Sequence, residues 1–326
     1  MDNHWTAVTL SSNLKRQPLK VVLNGAPIVL FRSGDTVGAV ADRCPHRLAE
    51  LSKGRVIEGT IECPYHGWRF NKTGQCTAIP GHLSALPRYR VQSYKALEHQ
   101  GAIFVSSGAP VGLPYAHGLQ SQDVIVRRVQ STTQSTVIDA AENILDATHT
   151  HFTHKGLLRG LSAKRHKIKV EVTGSEGRVE ATYTGEPRQE GVVSKLLEGA
   201  RSKTVGRFLA PGIAELEYWG PKGLVLITSF HLHQSTNSIV KGVGWLVGPK
   251  RDVPTWIKAA FFKPLFRIAL AQDRRILKST QQNALAHGAP DIIRGPLDFL
   301  RGDIEAIMDG KRPPAADHPR TYEVAL

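Results

Sequence analysis

The stretch Asn143-Ile-Leu-Asp146-Ala-Thr-His149-Thr-His151-Phe-Thr-His154 places three imidazoles, a carboxylate and an amide close together. Asn143, Asp146 and His149 recur every third residue, so on a helix they share a face. His154 comes five residues after His149, far enough for the chain to bend around one point. Two imidazoles meeting at one point suit a mid-series transition metal. With one carboxylate they occupy one face of an iron and leave the opposite face open for dioxygen and substrate. The stretch also reads as a polar helix whose histidines are surface or core residues.

Two loops upstream carry a second set of ligand types. Asp42-Arg-Cys44-Pro-His46-Arg47 and Cys63-Pro-Tyr-His66-Gly67-Trp68 each offer one thiolate and one imidazole, with 16 residues between the pairs. A [2Fe–2S] cluster with two Cys on one iron and two His on the other needs this set. Neutral imidazoles in place of thiolates make the reduced cluster less disfavoured and raise its potential. The rival is a structural Cys2His2 zinc site. Zinc fingers usually pair like ligands, whereas here Cys and His alternate. Cys76 lies beyond the second loop and reads as a small packed side chain.

A facial iron site needs a distant carboxylate. A helical pattern runs from about Leu265 to His287, and Phe262, Phe266, Ala269, Leu270, Ile276 and Leu277 form one apolar stripe. Asp273 sits in its middle. A carboxylate there is costly to bury unless a metal or a salt bridge compensates it. His149, His154 and Asp273 are therefore the assigned ligands. His151, two residues after His149, would face away on a helix and is the alternative to one of the two histidines.

The elements that must position these residues fall into two regions. Residues 1 to 110 are β-rich, with short runs such as Leu19–Asn24, Pro27–Arg32 and Val37–Ala41 punctuated by Asn24-Gly25 and Ser33-Gly34-Asp35. Gly108-Ala-Pro-Val-Gly-Leu-Pro reads as a linker into a second region, 111 to 326. There Val124 to Val137 reads as a strand and Asp139 to His151 as a helix. Alternating runs at Ile168–Val172, Val179–Tyr183, Ala214–Trp219, Leu224–Phe230 and Lys241–Val247 predict antiparallel strands with one wet face. The strands from 204 to 247, with Phe152, Leu157 and Leu158, are expected to line the pocket. Trp219 and Phe230 suit an apolar or aromatic ligand, though both also read as core.

Composition narrows the function classes. The 41% hydrophobic content suits a globular protein with real cores. No run is long and apolar enough to span a membrane, and no signal peptide is expected. Three cysteines argue against a disulfide framework and for a reducing compartment, so a cytoplasmic location is expected. With 42 basic and 28 acidic residues the net charge is +14. The basic residues are scattered and no nucleic-acid motif is present, so an acidic electron-carrier protein is the expected charged partner.

The motifs Cys44-Pro-His46-Arg-x-Ala-x-Leu-Ser and Cys63-Pro-Tyr-His66-Gly-Trp-x-Phe resemble the Rieske domain of the Rieske non-haem iron oxygenases. Asn-x2-Asp-x2-His-x4-His, and Gln272-Asp273-Arg-Arg-Ile-Leu with Gln281-Gln282, resemble the same family's catalytic domain. The spacing is most similar to the monooxygenase members, such as the vanillate and dicamba O-demethylases and the pheophorbide-type enzymes. The resemblance implies an α+β chain: a Rieske [2Fe–2S] domain, then an antiparallel sheet curved around a long C-terminal helix in helix-grip, START-like fashion. It implies a terminal oxygenase that uses O2 and electrons from NAD(P)H, delivered by a ferredoxin and/or flavin reductase, to hydroxylate or demethylate a small organic substrate. Mononuclear Fe(II) on His149, His154 and Asp273 is implied beside the cluster on Cys44, His46, Cys63 and His66. A head-to-tail homotrimer is implied too, with Asp146 linking His149 to His66 of another chain and Asn143 bordering the iron. The alternatives are a Rieske electron-transfer protein fused to a ligand-binding domain without oxygenase activity, and a zinc-stabilised binding module.

Overall fold

The computed structural model describes all residues except 1–2, 120–122, 158–164, 187–201, 251–254 and 289–290. It divides into two compact units: Met1–Ala116 with His233–Asn237, and His117–Leu232 with Ser238–Leu326.

The first unit is built from short antiparallel strands in three sheets. β1 (Thr6–Leu10), β10 (Ala102–Ser106) and β9 (Lys95–His99) form one, and β2 (Leu19–Leu23), β3 (Ala26–Ser33) and β4 (Thr36–Ala41) another. β5 (Arg55–Ile57), β6 (Thr60–Glu62), β7 (Arg69–Phe70) and β8 (Cys76–Ala78) form the third. The three expected strands are β2, β3 and β4. The hairpins turn at Asn24-Gly25, Glu58-Gly59 and Gln100-Gly101, each pair with φ between 46° and 78°. Two successive left-handed residues make the type I′ turn, whose twist matches that of the strands it joins. Phe31, Val40, Leu51, Ile61 and Phe70 are buried together with Cys44, Cys63 and Cys76. That core fixes the two loops that follow β4 and β6.

The second unit is one eight-stranded sheet with helices on a single face. Its order is β11 (Val124–Gln134), β17 (Ile239–Pro249), β16 (Gly223–Thr236), β15 (Ile213–Gly220), β14 (Lys203–Leu209), β13 (Arg178–Thr184), β12 (Lys167–Ser175), β18 (Arg320–Ala325). Alternation is clean in β12, where Ile168, Val170 and Val172 are buried and their neighbours exposed. Against this face pack α1 (Val137–Leu145), the long α3 (Thr255–Ala286) and α4 (Arg301–Met308), through Ala140, Leu145, Leu277, Ile304 and Ile307. Each fully buried aliphatic side chain contributes about 1.5–3 kcal/mol.

Three readings change. The expected helix Asp139–His151 is two helices, α1 and the short α2 (Thr150–Thr153), separated by a break at Asp146. The long helix begins at Thr255, not near Leu265, and carries Pro264 within it. Ile276 is 44% exposed, so the buried stripe runs through Ala269, Leu270 and Leu277 without it. The side chains of Phe262 and Leu158 lie outside the described residues.

Candidate metal centres

The two Cys-Pro loops of the first unit fold alike. Cys44 N–H donates to Ala49 O at 2.9 Å and Cys63 N–H to Trp68 O at 2.8 Å. Leu48 N–H donates back to Cys44 O at 2.9 Å and Gly67 N–H to Cys63 O at 3.1 Å. The fifth residue of each turn is left-handed, Leu48 at φ 60° and Gly67 at φ 70°. At Gly67 a Cβ would also lie 2.9 Å from Pro80 Cγ, so a side chain there, unlike at Leu48, would press on Pro80 as well as strain the backbone.

This folding buries both sulfurs and leaves both imidazoles at the surface. Cys44 and Cys63 are 1% and 3% exposed, whereas His46 and His66 are exposed with ring centroids 4.7 Å apart. Burial, opposed by the His46 N–H and reinforced by the adjacent Cys63 thiol, pushes the Cys44 thiol up to about 11. A thiol raised in this way stays protonated at neutral pH unless a cation holds its thiolate. His66 is pushed below its ordinary value by lost solvation and then by His46 and Arg47, which favours the neutral ring a metal needs. Trp68 stacks on His46 at 4.7 Å, Tyr89 on Trp68 at 5.2 Å, and Tyr65 on His66 at 3.9 Å. These stacks fix the ring planes. Cys76 is packed beside Phe70 in the core, its thiol raised by burial.

In the second unit Thr136 caps α1 by accepting from Asp139 N–H at 3.1 Å, and the helix ends at Leu145. Asp146 leaves the helix at φ −74°, ψ 117°. Its carboxylate accepts from Thr148 N–H at 2.6 Å and from His149 N–H at 3.1 Å. A short acidic side chain thus takes the N–H groups that a continuing helix would have used. The break aims His149 back at His154, the residue that closes α2.

His149 Nε2 and His154 Nε2 lie 3.3 Å apart, and Asp273 Oδ1 on α3 is 2.9 Å from His154 Nε2 and 3.5 Å from His149 Nε2. Among the described residues these three are the group of His, Cys, Asp and Glu side chains that could hold a metal ion, and His151 is outside it. His154 Nδ1 donates to Gln272 Oε1 at 2.8 Å, which fixes that ring's tautomer with its lone pair on Nε2. His149 Nδ1 lies 3.4 Å from Asp146 Oδ2 without a directed hydrogen bond. Both Nε2 atoms and Asp273 Oδ1 face one spot. Asp273 Oδ1 is buried without a properly directed hydrogen bond. Three converging electron pairs in a buried site fit a divalent metal of the imidazole-and-carboxylate kind.

The charge balance says the same. Burial works against a charged His149, but hydrogen bonds to Asp146 and Asp273 outweigh it and lift the imidazole to about 9. Burial works against the Asp273 carboxylate, and His149 and His154 hold it below the ordinary range regardless. Asp146 is held low in the same way, by His149 and Thr148. The site attracts positive charge even without a metal.

A cavity opens beside the three ligand atoms, lined from the helices by Asn143, Phe266 and Leu270 and from the sheet by Leu216, Tyr218 and Phe230. Phe230 was an expected lining residue. Trp219 is not one: its Nε1 donates to Glu217 at 2.9 Å and Lys203 lies over its ring. Phe152 is 73% exposed beneath the Arg165 guanidinium and Leu157 does not line the cavity. Thr204 and Thr228 lie on the strands expected to line the pocket and do so, whereas Gln272 and Glu186, which also border the site, had no expected role of their own. Only the Gln272-Asp273 adjacency held a hint. Asp146 and Asn143 line this cavity and also a surface groove with Leu277, Thr280 and Leu297.

Residues 4–95 match the Rieske [2Fe-2S] domain family. A 151-residue segment, 43% of this chain, is 35% identical to methylxanthine N3-demethylase NdmB of Pseudomonas putida and covers 42% of it. A 209-residue segment, 59% of this chain, is 31% identical to the chloroplastic protein TIC 55 of Arabidopsis thaliana and covers 38% of that protein. The matched segments thus span less than half of these relatives. A crystal structure of dicamba monooxygenase bound to dicamba superposes with a TM-score of 0.76 at 19% identity, covering 94% of this chain and 96% of that one. At that identity the likeness speaks for the fold. The match marks the first unit as a Rieske domain, and the second unit carries a candidate mononuclear metal centre. Residues 4–95 thus match the Rieske [2Fe-2S] domain family, and the chain shares the fold of dicamba monooxygenase.

Proposed function

We propose that this chain is the oxygen-activating component of a Rieske monooxygenase system acting on a small, largely apolar or aromatic molecule. Cys44 and Cys63 would hold the inner iron of the cluster, and His46 and His66 the outer one. His149, His154 and Asp273 would hold the mononuclear Fe(II). Residues 1–110 would form the cluster domain and 111–326 the catalytic domain. The observation that carries the reading is the convergence of two imidazole Nε2 atoms and a buried carboxylate oxygen at the edge of an apolar cavity.

When loaded, the two centres supply electrons and dioxygen activation. One oxygen atom enters a C–H bond, and the other leaves as water with two electrons and two protons. The chain's own residues do the rest. Leu216, Phe230, Phe266 and Leu270 exclude water and hold the apolar body of the substrate. Gln272 and Asp146 keep the imidazole lone pairs aimed at the metal. Asn143, on the last turn of α1, borders the cavity without joining the ligand group.

Electrons would come from NAD(P)H through a ferredoxin and/or flavin reductase with an acidic docking face. Supporting this, Arg43, Arg47, Arg88 and Arg90 are exposed in the segments that carry His46 and Tyr89. We place the protein in the cytoplasm. Among the described residues no helix is long and apolar enough to cross a membrane. A head-to-tail homotrimer is supported by Asp146, which faces both the cavity and a surface groove where a neighbouring chain's cluster domain could dock.

Anaerobic purification with iron and sulfide analysis, then NADH-driven oxygen uptake with a partner reductase, tests the proposal. A red-brown protein with mononuclear iron in excess of the cluster's pair, and substrate-dependent oxygen uptake, is expected. Cluster iron alone with no oxygen uptake would favour an electron-transfer protein. A colourless zinc protein would remove both readings.

A further inference from the structure

We infer that Gly244 is a specificity-determining residue of the cavity. Having no side chain, it lets Phe230 lie back against β17 and so keeps room beside the candidate metal ligands for one apolar ring. The inference deepens the proposed oxygenase reading and rests on it for taking the cavity as the substrate site.

Gly242 and Gly244 are alternate residues of β17 and so share one face of the sheet. Side chains of β16 fill the space that each leaves. A Cβ on Gly242 would lie 3.1 Å from Leu232 Cδ2. A Cβ on Gly244 would lie 2.6 Å from Phe230 Cε1 and 2.7 Å from Phe230 Cδ1, with Val129 Cγ2 of the paired strand β11 at 3.0 Å. Carbon atoms pack at about 3.5–4.0 Å, so the ring of Phe230 already occupies the place of a methyl group. The backbone does not ask for glycine here, since neither residue is left-handed. A glycine inside a strand gives up cross-strand packing and weakens the strand. What Gly244 provides in return is room for the ring.

The position of that ring bears on the cavity. Phe230 lies opposite Ala214 of β15, yet its ring leans the other way, over β17. Leu216 leans away in the opposite sense: a Cβ on Gly206 of β14 would lie 3.3 Å from Leu216 Cδ2. Two large side chains of the sheet wall therefore splay apart over glycines, with the shorter Thr228 between them. Facing Phe230 is Phe266 on the helical wall, its ring inclined by 10° with the centroids 5.8 Å apart. A methyl group at Gly244 would drive the Phe230 ring about 1 Å off β17, back toward β15 and Phe266.

That shift would be felt because the space is small. The cavity measures about 110 Å³. An apolar protein cavity of about 150 Å³ holds benzene, so a displaced ring would take room that a ligand ring needs. Gly38 and Phe31 form the same kind of pair in the first unit, with Cβ–ring distances from 2.5 Å. Phe31 is fully buried in a closed core, and its pairing is packing alone. Phe230 differs in that it borders a cavity.

The test is direct binding of toluene to purified holoprotein by calorimetry, independent of turnover. Toluene is expected to bind the wild type, and to bind Gly244→Ala about tenfold or more weakly. The double variant Gly244→Ala/Phe230→Leu shows whether the ring carries the effect. Its new methyl group occupies space that the ring has left, so its affinity should come within about threefold of Phe230→Leu alone. Cluster absorbance and circular dichroism confirm the fold of each variant. If Gly244→Ala alone does not fold, the double variant is still expected to fold, and its affinity relative to Phe230→Leu decides. A double variant that does not fold, or that binds toluene no better than Gly244→Ala, overturns the inference, since alanine would then harm the strand and not the cavity. Wild-type affinity in Gly244→Ala overturns it too, as does a wild type that does not bind toluene. Oxygen uptake by the same preparations separates the two readings. Gly244-dependent binding without substrate-dependent oxygen uptake would sink the oxygenase proposal alone. Substrate-dependent uptake with Gly244-independent binding would sink this inference alone.

Discussion

Gln272 and His154 are 118 residues apart in the chain and 2.8 Å apart at Oε1 and Nδ1. The amide oxygen accepts from the ring and so places the free lone pair of His154 on Nε2, 2.9 Å from Asp273 Oδ1. Gln272 and Asp273 are neighbours on α3, so one helix supplies both a candidate ligand and the group that orients another candidate ligand.

Gln272→Leu should therefore weaken the mononuclear site without touching the cluster. With no acceptor on its far side, the imidazole gains nothing from keeping its proton on Nδ1. Loss of such a partner typically costs about 10–100-fold in metal affinity. Gln272→Glu restores an acceptor and should recover most of that loss. Titration of metal-stripped protein with Fe(II) or Co(II), with the cluster spectrum as internal control, checks this. Wild-type affinity in the Leu variant would mean that Gln272 only packs against the ring.

Asp273→Ala should leave the cluster absorbance intact and empty the mononuclear site. The two proposed ligand sets share no residue, and Asp273 is the carboxylate of the three-member group that could hold the metal. Its removal also takes away one of the two negative charges that lift His149. Iron per chain should fall to the two of the cluster. Unchanged iron content would show that another carboxylate completes the site.

The fold was legible where the signal is local. The Cys-Pro loops could be read because their ligand spacing lies within six residues and their turns close on themselves. The first unit's strands could be read as short apolar runs between turn residues, and β12 and β13 because alternation survives in them. The break after α1 could not, since periodicity continues through Asp146 while its carboxylate captures two backbone N–H groups. The start of α3 was misplaced because Pro264 reads as a boundary, yet the helix runs through it. β18 was invisible for a different reason: it pairs with β12, Ile168 against Val324, and nothing local announces so distant a partner. Glu186 and Gln272 carry no motif either. Only tertiary structure brings them to the cavity and the ring.

Glu62 gives the cluster unit an acid limit. It immediately precedes Cys63 and bridges Arg55 at 2.7 Å and Arg69 at 2.8 Å, tying β5, β6 and β7 together below the second Cys-Pro loop. Hydrogen bonds from Arg55 and Arg69 hold its carboxyl below the usual range against burial. A depressed carboxyl contributes stability that is present above its unfolded value, about 4.3, and is lost as pH falls through its folded value. Cluster absorbance should therefore persist through pH 5 and fade below about 4.3. Glu62→Gln should cost about 1 kcal/mol at pH 7, since Arg55 is largely exposed and its share is small. Melting curves at pH 7 and pH 4 check both. A wild-type-minus-variant difference that grows on acidification would contradict the sign.

Asp146 is placed to do two things at once. Its Oδ2 accepts from the His149 backbone N–H at 3.1 Å and lies 3.4 Å from that residue's Nδ1, while its side chain borders both the cavity and the surface groove. The first role orients a ligand. The second is what a bridge to a neighbouring chain's cluster requires. Asp146→Asn keeps the size, removes the charge and replaces one acceptor oxygen with a donor. One of the two backbone N–H bonds at the break is weakened, so mononuclear iron affinity should fall within the about 10–100-fold range of a lost orienting partner. At saturating iron that loss is repaired, and the charge effect stands alone. The cluster should form and accept electrons normally, but its reoxidation on mixing pre-reduced, iron-replete protein with oxygen and an accepted substrate should slow by about tenfold or more. That is roughly 1.4 kcal/mol on the barrier. Wild-type reoxidation at full iron occupancy would show that Asp146 shapes the chain break and orients His149, and that electrons reach the mononuclear site by another route.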